Sequence, residues 1–512
     1  MLNSGWQLFI VLLGISFQSI SQSSSLDNSF DGDGIQTTSF GLSTDIIRGM
    51  ALQPDGKIVA VGTTVGASFE RMAIVRYAGN GALDPSFNLK GFHVFRLDSN
   101  DNVATALAVQ PDNKTVITGY YQSRAGSNMA IFLMRYREDG LLDNGFGIGG
   151  IIKLDLSETG GSDSKAYDVL IQPDKKIVIA GVRENIDGKW DFFLSRFDST
   201  GKADANFGVK GEYFISANRL VDAKLSLAME KSTGKILLAG TAGNGSDNDF
   251  FLACCLHNGK PDLNFNKLGY TLANISPGKN DMATCIQYTP YTMILVGGAS
   301  GDSFALARFN MQGAYDLSFS SDGKLTTSLG GVAIPNSMAL QNNNRIILAG
   351  SNLNANKDLE LAFARYEGDG KLENSFTFTK DYGASNDMVN AVVLQQDGKI
   401  LCGGTVNNNY SVMRFIGALN TPHVIIPSSS VRVFPNPFKD AIELEYQLNY
   451  EEEISIQLMN MKGELIKAYT HKQKEYPGLQ KHSLSTDNEL SNGIYFVRIL
   501  GTRTQLSIKV VK

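Results

Sequence analysis

The chain has 512 residues, more than one compact domain normally holds. Hydrophobic residues make up 43% and the formal net charge is −5, which supplies a large core and excludes the basic footprint of a nucleic-acid-binding protein. Fifty-two glycines against 13 prolines point to many tight turns and an all-β chain.

The first element is an apolar run from Leu8 to Phe17. As a helix it spans roughly 15 Å, half of a ~30 Å hydrocarbon core. With Ser19-Ile20-Ser21 behind it, the run reads as a signal peptide over residues 1–21, although Met1 to Gln7 carry no Lys or Arg. No later apolar run is long enough to span a bilayer, so no transmembrane segment is expected.

Internal repetition dominates residues 22–416. An L-D-x-S-F-like anchor recurs, with its phenylalanine at Phe30, Phe87, Phe146, Phe207, Phe265, Phe319 and Phe376, about every 58 residues. A second anchor, Gln53-Pro54-Asp55-Gly56-Lys57, returns at Gln110 to Lys114, at Gln172 to Lys176 and more loosely at Gln395 to Lys399. A glycine follows each: Gly62, Gly119, Gly181, Gly240, Gly297, Gly350 and Gly404. A third anchor pairs arginine with an aromatic residue, as in Arg76-Tyr77 and Arg135-Tyr136. Within one repeat, Ile46 to Gln53 is extended and Pro54-Asp55-Gly56 is turn chemistry. Lys57 to Val61, Ala73 to Tyr77 and Phe92 to Phe95 supply three more strands. Seven units of four short strands predict a seven-bladed β-propeller.

The seventh unit stops after its third strand, Tyr410 to Phe415, whereas the chain opens with a surplus anchor and a surplus strand, Ile35 to Phe40. These two segments are expected to pair and close the ring, because an open ring leaves bare strand edges.

Two acidic series recur. Arg76 and Asp84 are eight residues apart, as are Arg135/Asp143, Arg196/Asp204, Arg308/Asp316 and Arg365/Glu373. A contact present in so many blades reads as structural. In the fourth blade Cys254 replaces the arginine opposite Asp262, which implies either a partly solvated pair or an acid that mainly caps a turn. The second series is Asp45, Asp101, Asp163, Asp222, Asp281 and Asp387, each just ahead of an innermost strand and so around one mouth of the channel. Turn capping is the plainer reading. The functional one is a rim that binds calcium or another cation, or a sugar. The variable loops, among them Tyr120 to Ala130 and Val182 to Asp191, carry Tyr120, Tyr121, Arg124 and Trp190 as contact-capable side chains.

No catalytic or metal constellation emerges. The five histidines are scattered, and no P-loop, H-E-x-x-H or dinucleotide fingerprint is present. Asp31-Gly32-Asp33-Gly34 lacks the spacing of an EF-hand and reads as a turn. Cys254, Cys255, Cys285 and Cys402 show no C-x-x-C spacing and read as packing residues. No cofactor is called for.

Residues 417–430 read as a linker, and 431–512 as a separate antiparallel β-sandwich, immunoglobulin-like in its build. Its strand candidates are Ile442 to Leu448, Glu453 to Asn460, Leu465 to Thr470, Gly493 to Leu500 and Gln505 to Val511.

The combination L-D-x-S-F, Q-P-D-G-K-I and F-x-L-x-R-Y resembles the bacterial delta-60 repeat, over residues 26 to 416. That resemblance implies an extracellular or surface setting and no defined chemistry. The end of the chain resembles the C-terminal sorting domain of the type IX secretion system. The matching residues are Pro435-Asn436-Pro437-Phe438, Lys462-Gly463, Asn492-Gly493-Ile494-Tyr495 and Lys509-Val510-Val511-Lys512. It implies export in two steps, with the type IX machinery as partner, to the medium or outer surface of a Gram-negative bacterium. Together these predict a monomeric binding or structural propeller for an extracellular glycan or protein. The alternative is a polysaccharide hydrolase or lyase, which needs a unique carboxylate pair at one mouth.

Overall fold

The computed structural model describes residues 25–512 apart from 42–43, 67–68, 98–100, 123–127, 157–161, 222, 291, 384, 417–430, 449–451, 461–464, 477, 487–489 and 501–504. The segments expected to be a leader, 1–21, and a linker, 417–430, therefore lie outside the described residues.

Turn chemistry sets the blade. In the first, the amide of Gly56 donates to the carbonyl of Gln53, closing a five-residue turn between the inner strand Thr44–Leu52 and the second strand Ile58–Val65. The third strand Glu70–Tyr77 and the fourth Phe92–Phe95 complete an antiparallel sheet. This pattern recurs through the blade ending at Lys380. In the seventh blade, Met388–Leu394, Ile400–Val406 and Asn409–Phe415 take as fourth strand Ile35–Thr38 from the start of the chain, with Ile35 opposite Met413 and Thr38 opposite Tyr410. The closure expected from the surplus segments is present. The chain makes seven blades.

The anchor phenylalanines are keys between blades. All seven are at most 1% exposed. Phe87 packs on Gly140 of the next blade, where a Cβ would lie 2.8 Å from the ring and φ is +80°, so only glycine fits. Phe30, Phe146, Phe207, Phe265 and Phe319 meet Gly81, Gly201, Gly259, Gly313 and Gly370 in the same way. Between the keys, the two sheet faces interleave apolar side chains; one cluster joins Val59, Val61 and Ile74 of the first blade to Ile117, Phe132 and Met134 of the second.

Six inner strands carry a β-bulge at one place: Arg48, Thr105, Tyr167, Thr284, Asn336 and Asn390 are the extra residues. The bulge explains the recurring glycine. It drives the carbonyl of Ile46 so near Gly62 that a Cβ there would lie 1.9 Å from it, and Gly119, Gly181, Gly350 and Gly404 meet the same obstacle. In the fifth blade the residue in this role is Gly298 rather than Gly297, since Ala283 pairs with Gly298. The fourth inner strand, Ser226–Met229, pairs without a register shift, and no inner-strand carbonyl crowds Gly240.

The C-terminal domain is a sandwich of two antiparallel sheets. One holds Val431–Phe434, Ala441–Leu448 and Gly478–Ser485; the other holds Leu465–Glu475, Glu452–Asn460, Ile494–Leu500 and Gln505–Val511. Val431–Phe434 and Gly478–Ser485 are strands additional to those expected. Ile442, Leu444, Ile456, Leu458, Val497 and Ile499 form its core.

Candidate functional site

Strand direction sorts the propeller into two faces. Each inner strand runs from a loop face, bearing the connections between second and third strands, to a turn face, bearing the QPDGK-like turns and the L-D-x-S-F anchors.

On the turn face, each repeated acid is committed to structure. Arg76 Nε lies 2.8 Å from Asp84 Oδ2, its guanidinium sits 4.9 Å over the Phe87 ring, and its Nη1 donates to the carbonyl of Glu138 in the next blade. Arg135, Arg196 and Arg308 repeat this set, and Arg365 pairs with Glu373 over Phe376. A further pair, not counted in the sequence, closes the ring: Arg414 Nε lies 2.8 Å from Asp27. Most acids also have a lysine, such as Lys57 at 3.3 Å from Asp84. Burial opposes ionisation of Asp84, yet the Ser86 hydroxyl and amide, Arg76 and Lys57 together hold its carboxyl at about 2. In the fourth blade Lys235 stands 2.7 Å from Asp262 and is its cation, while Cys254 Sγ is 3.9 Å away. The acid therefore keeps a full charge partner and also accepts the amide of Asn264.

On the loop face, the second acidic series divides into two positions. Asp101 and Asp163 cap the third strand of the preceding blade, accepting the amides of Glu70 and Met129 at 2.9 Å. Asp45, Asp281 and Asp387 sit one position further on and are at most 1% exposed. They accept the amides of Phe40, Ile275 and Tyr382 from the segment leading into the strand. Asn102 does the same for Leu97. Asp222 lies outside the described residues. Each of these described acids accepts a backbone amide at a turn or strand end. Among the described residues, no three His, Cys, Asp or Glu side chains group as metal ligands. The four cysteine thiols are free and buried.

What does converge is the ring of bulge residues, which the sequence reading passed over. A polar residue five positions before each Gln-type anchor was the available signal: Arg48 before Gln53, Thr105 before Gln110, Tyr167 before Gln172. The bulge turns these side chains to the axis, where several bond the next blade. Thr105 Oγ1 donates to Ala166 O at 2.9 Å, Asn336 Nδ2 to Val389 O at 3.0 Å, and Asn390 Nδ2 to Ile47 O at 2.8 Å, across the closure. In the fourth blade Lys224 enters instead and reaches over the axis, its Nζ 2.6 Å from Asn336 O.

Two cavities of about 160 Å³ each share this ring as lining. The one toward the turn face reaches Asp168, whose Oδ2 accepts Leu227 N at 2.7 Å and Ser226 Oγ at 3.0 Å, and whose Oδ1 accepts Val169 N at 2.8 Å. Burial raises the Asp168 pKa against the pull of those amides. Burial likewise lowers that of Lys224, and the nearby Arg48 charge adds to the effect. The cavity toward the loop face is lined by Arg48, Tyr120, Tyr167 and Lys224, among others. Tyr120 and Tyr167 meet edge to face at 6.3 Å. The Lys165 ammonium lies 6.0 Å from the Tyr120 ring centre and 5.4 Å from that of Trp190. Of the loop side chains singled out from sequence, Tyr120 and Trp190 thus share one neighbourhood. Tyr121 packs in the core with Phe132, and Arg124 lies outside the described residues.

In the C-terminal domain, three motifs distant in sequence meet. Asn436 Oδ1 accepts the amide of Val511 at 2.9 Å, Phe438 N donates to Val511 O, and Gly493 and Lys512 exchange backbone hydrogen bonds. Phe438 and Tyr495 pack edge to face in the core. Pro435 and Pro437 are exposed, and Gly463 lies outside the described residues.

Comparison with known proteins agrees with this architecture. Residues 53–87, 110–146, 172–207, 231–265 and 341–376 match a domain of unknown function (DUF5122) described as a beta-propeller. Five of the seven blades thus carry repeats similar to that propeller domain. Residues 432–512 match the secretion system C-terminal sorting domain, so this propeller carries a type IX sorting tail, which indicates secretion or attachment at the cell surface. Among curated proteins none matches the chain. Solved structures similar in fold include Sqt1 from Chaetomium thermophilum, at 10% identity and TM-score 0.41, covering 93% of this chain and 100% of that one. A protein of unknown function from Dyadobacter fermentans is 12% identical with TM-score 0.37, over 66% of this chain and 96% of that one. A polysaccharide lyase, an ulvan lyase, is 11% identical with TM-score 0.41, over 75% and 96%. None of these likenesses transfers a function. No catalytic family is among the sequence matches. Among the described residues no helix is long and apolar enough to cross a membrane.

Proposed function

We propose that the chain is an exported binding propeller. Residues 1–21 are its leader, 22–416 the propeller, 417–430 a linker and 431–512 the element read by the type IX machinery. The binding surface is the loop face, for an extracellular glycan or protein. One observation carries this reading. The cations of the turn face are matched to acids blade by blade, whereas the loop side of the axis gathers Arg48, Lys224 and aromatic rings around an open cavity. Catalysis on a polysaccharide is less well supported, because it asks for two facing carboxyl groups and both oxygens of Asp168 already accept backbone amides.

Two measurements test the reading. The full chain is applied to a glycan array beside a polysaccharide-degradation assay: binding without turnover is expected, and turnover would replace the reading with an enzymatic one. Deleting residues 431–512 should hold the protein in the periplasm, and normal appearance of the truncated chain outside the cell overturns the sorting role.

A further inference from the structure

We infer that the loop-side mouth of the axial channel binds an acidic sugar, its carboxylate or sulfate held by Arg48 and Lys224 and its ring packed against Tyr120 and Tyr167. This rests on the binding-propeller reading and gives it a ligand class.

The argument starts from charge. The chain is acidic overall, with a formal net charge of −5, yet two cations line one cavity on the axis. Arg48 Nε donates to the Thr63 hydroxyl at 3.0 Å, and Lys224 Nζ donates to a backbone carbonyl. Both hydrogen-bond partners are neutral, and the carboxylates that act on these cations, Asp168 on Lys224 and Glu70 on Arg48, do so at longer range. The one carboxylate lining the neighbouring cavity, Asp168, is turned to backbone amides and Ser226. Burial is the main reason the Lys224 pKa is lowered, the Arg48 charge pushes the same way against the pull of Asp168, and an entering anion favours the charged form of both cations. The site is therefore electrostatically complementary to a negative group.

The shape narrows the ligand further. A cavity of about 160 Å³ is several times the ~30 Å³ share of one water and holds a charged substituent together with part of a ring. Tyr120 and Tyr167 present aromatic surface at its wall, and Lys165 bridges Tyr120 to Trp190 beside it. A pyranose offers a flat face of C–H groups to such rings while its acid group projects to the cations. The site is also singular. The seven axial positions hold Arg, Thr, Tyr, Lys, Thr, Asn and Asn in turn, so the fold repeats but the chemistry does not.

The test is calorimetry on the full chain with four probes: polygalacturonate, a sulfated galactan, a neutral galactan of similar length and poly-glutamate. Binding of either acidic polysaccharide, and not of the neutral one, is expected; the two acidic arms separate carboxylate from sulfate. Arg48→Gln and Lys224→Gln should each weaken it about tenfold or more, with circular dichroism showing that each variant keeps the fold. Tyr120→Ala, at the wall, should weaken it less and keeps the test alive if Lys224→Gln fails to fold. Equal binding of the neutral galactan, or indifference to Arg48→Gln and Tyr120→Ala, overturns the inference while leaving a binding propeller standing. Equal binding of poly-glutamate overturns the assignment to sugar. If none of the four probes binds, the inference falls, and the glycan array decides separately whether the binding-propeller reading falls with it.

Discussion

The two faces of the propeller are built from the same strands and obey different rules. On the turn face, the link between inner and second strands is five residues long in six blades and six in the fourth. Ion pair, phenylalanine key and next-blade carbonyl recur there around the circle. On the loop face, the link between second and third strands ranges from two residues after Ser300 to six after Gln122. Apart from turn-capping residues such as Asp45, Asp281 and Asp387, side chains there follow no shared pattern. Repetition marks the face where neighbouring blades must bond, and its loss marks the face left free to recognise something else.

Breaking the turn face should do most damage. Removing residues 25–38 takes away the closing strand, Asp27 and the Phe30 key together. The whole propeller should lose stability, with a fall in melting temperature on the order of 10 °C; a melting curve that keeps its midpoint breaks the comparison at its root. Acid should act on the same face. Asp27, Asp84, Asp143, Asp204, Asp262, Asp316 and Glu373 all have folded-state pKa values below their ordinary ones. Their contribution is then complete above the unfolded carboxylate pKa near 4 and is lost as pH falls toward the folded values, about 2 for Asp84. Circular dichroism between about pH 4 and pH 2 should show a steep decline in stability.

Smaller changes sharpen the contrast. Lys235→Met strips Asp262 of its cation and should cost about 3–5 kcal/mol in denaturant unfolding. Lys57→Met should cost no more than about 1 kcal/mol, because Arg76 still faces Asp84. Equal costs would mean that the fourth blade has no special dependence on its lysine. Asn390→Ala removes one hydrogen bond across the closure and should cost about 1 kcal/mol by the same method. At the other extreme, Ile186→Ser on the loop face, where the side chain is 71% exposed, should stay within about 0.5 kcal/mol of zero.

The sequence made the blades legible because each anchor answers a local demand that recurs. The turn in Gln53 to Lys57 holds its fourth residue at positive φ, which Gly56 suits, and the key at Phe87 needs a ring of one size. Closure was legible for a related reason, since Ile35 to Phe40 had no blade of its own and Tyr410 to Phe415 lacked a neighbour. The replacement of an arginine by Cys254 was visible, but its remedy was not, because Lys235 comes from the turn ahead of the second strand of the same blade. The axial ring was hidden more deeply. A bulge sets two residues against one, so it shows only in pairing, and the residues it carries share polarity and no identity. The acids Asp45 and Asp101 seemed equivalent at a few residues' distance from the strand; one step of register gives them different amides to accept.

The closing strand has a consequence in time. Ile35 and Met413 are strand neighbours, yet nearly the whole propeller is synthesised between them. A chain that emerges from its amino end has Ile35–Thr38 waiting, with its backbone groups unsatisfied, until Asn409–Phe415 arrives. Contacts this far apart along the chain are the slowest to form. Six blades can assemble as the chain appears, and the circle is completed last by joining the oldest part of the propeller to its newest.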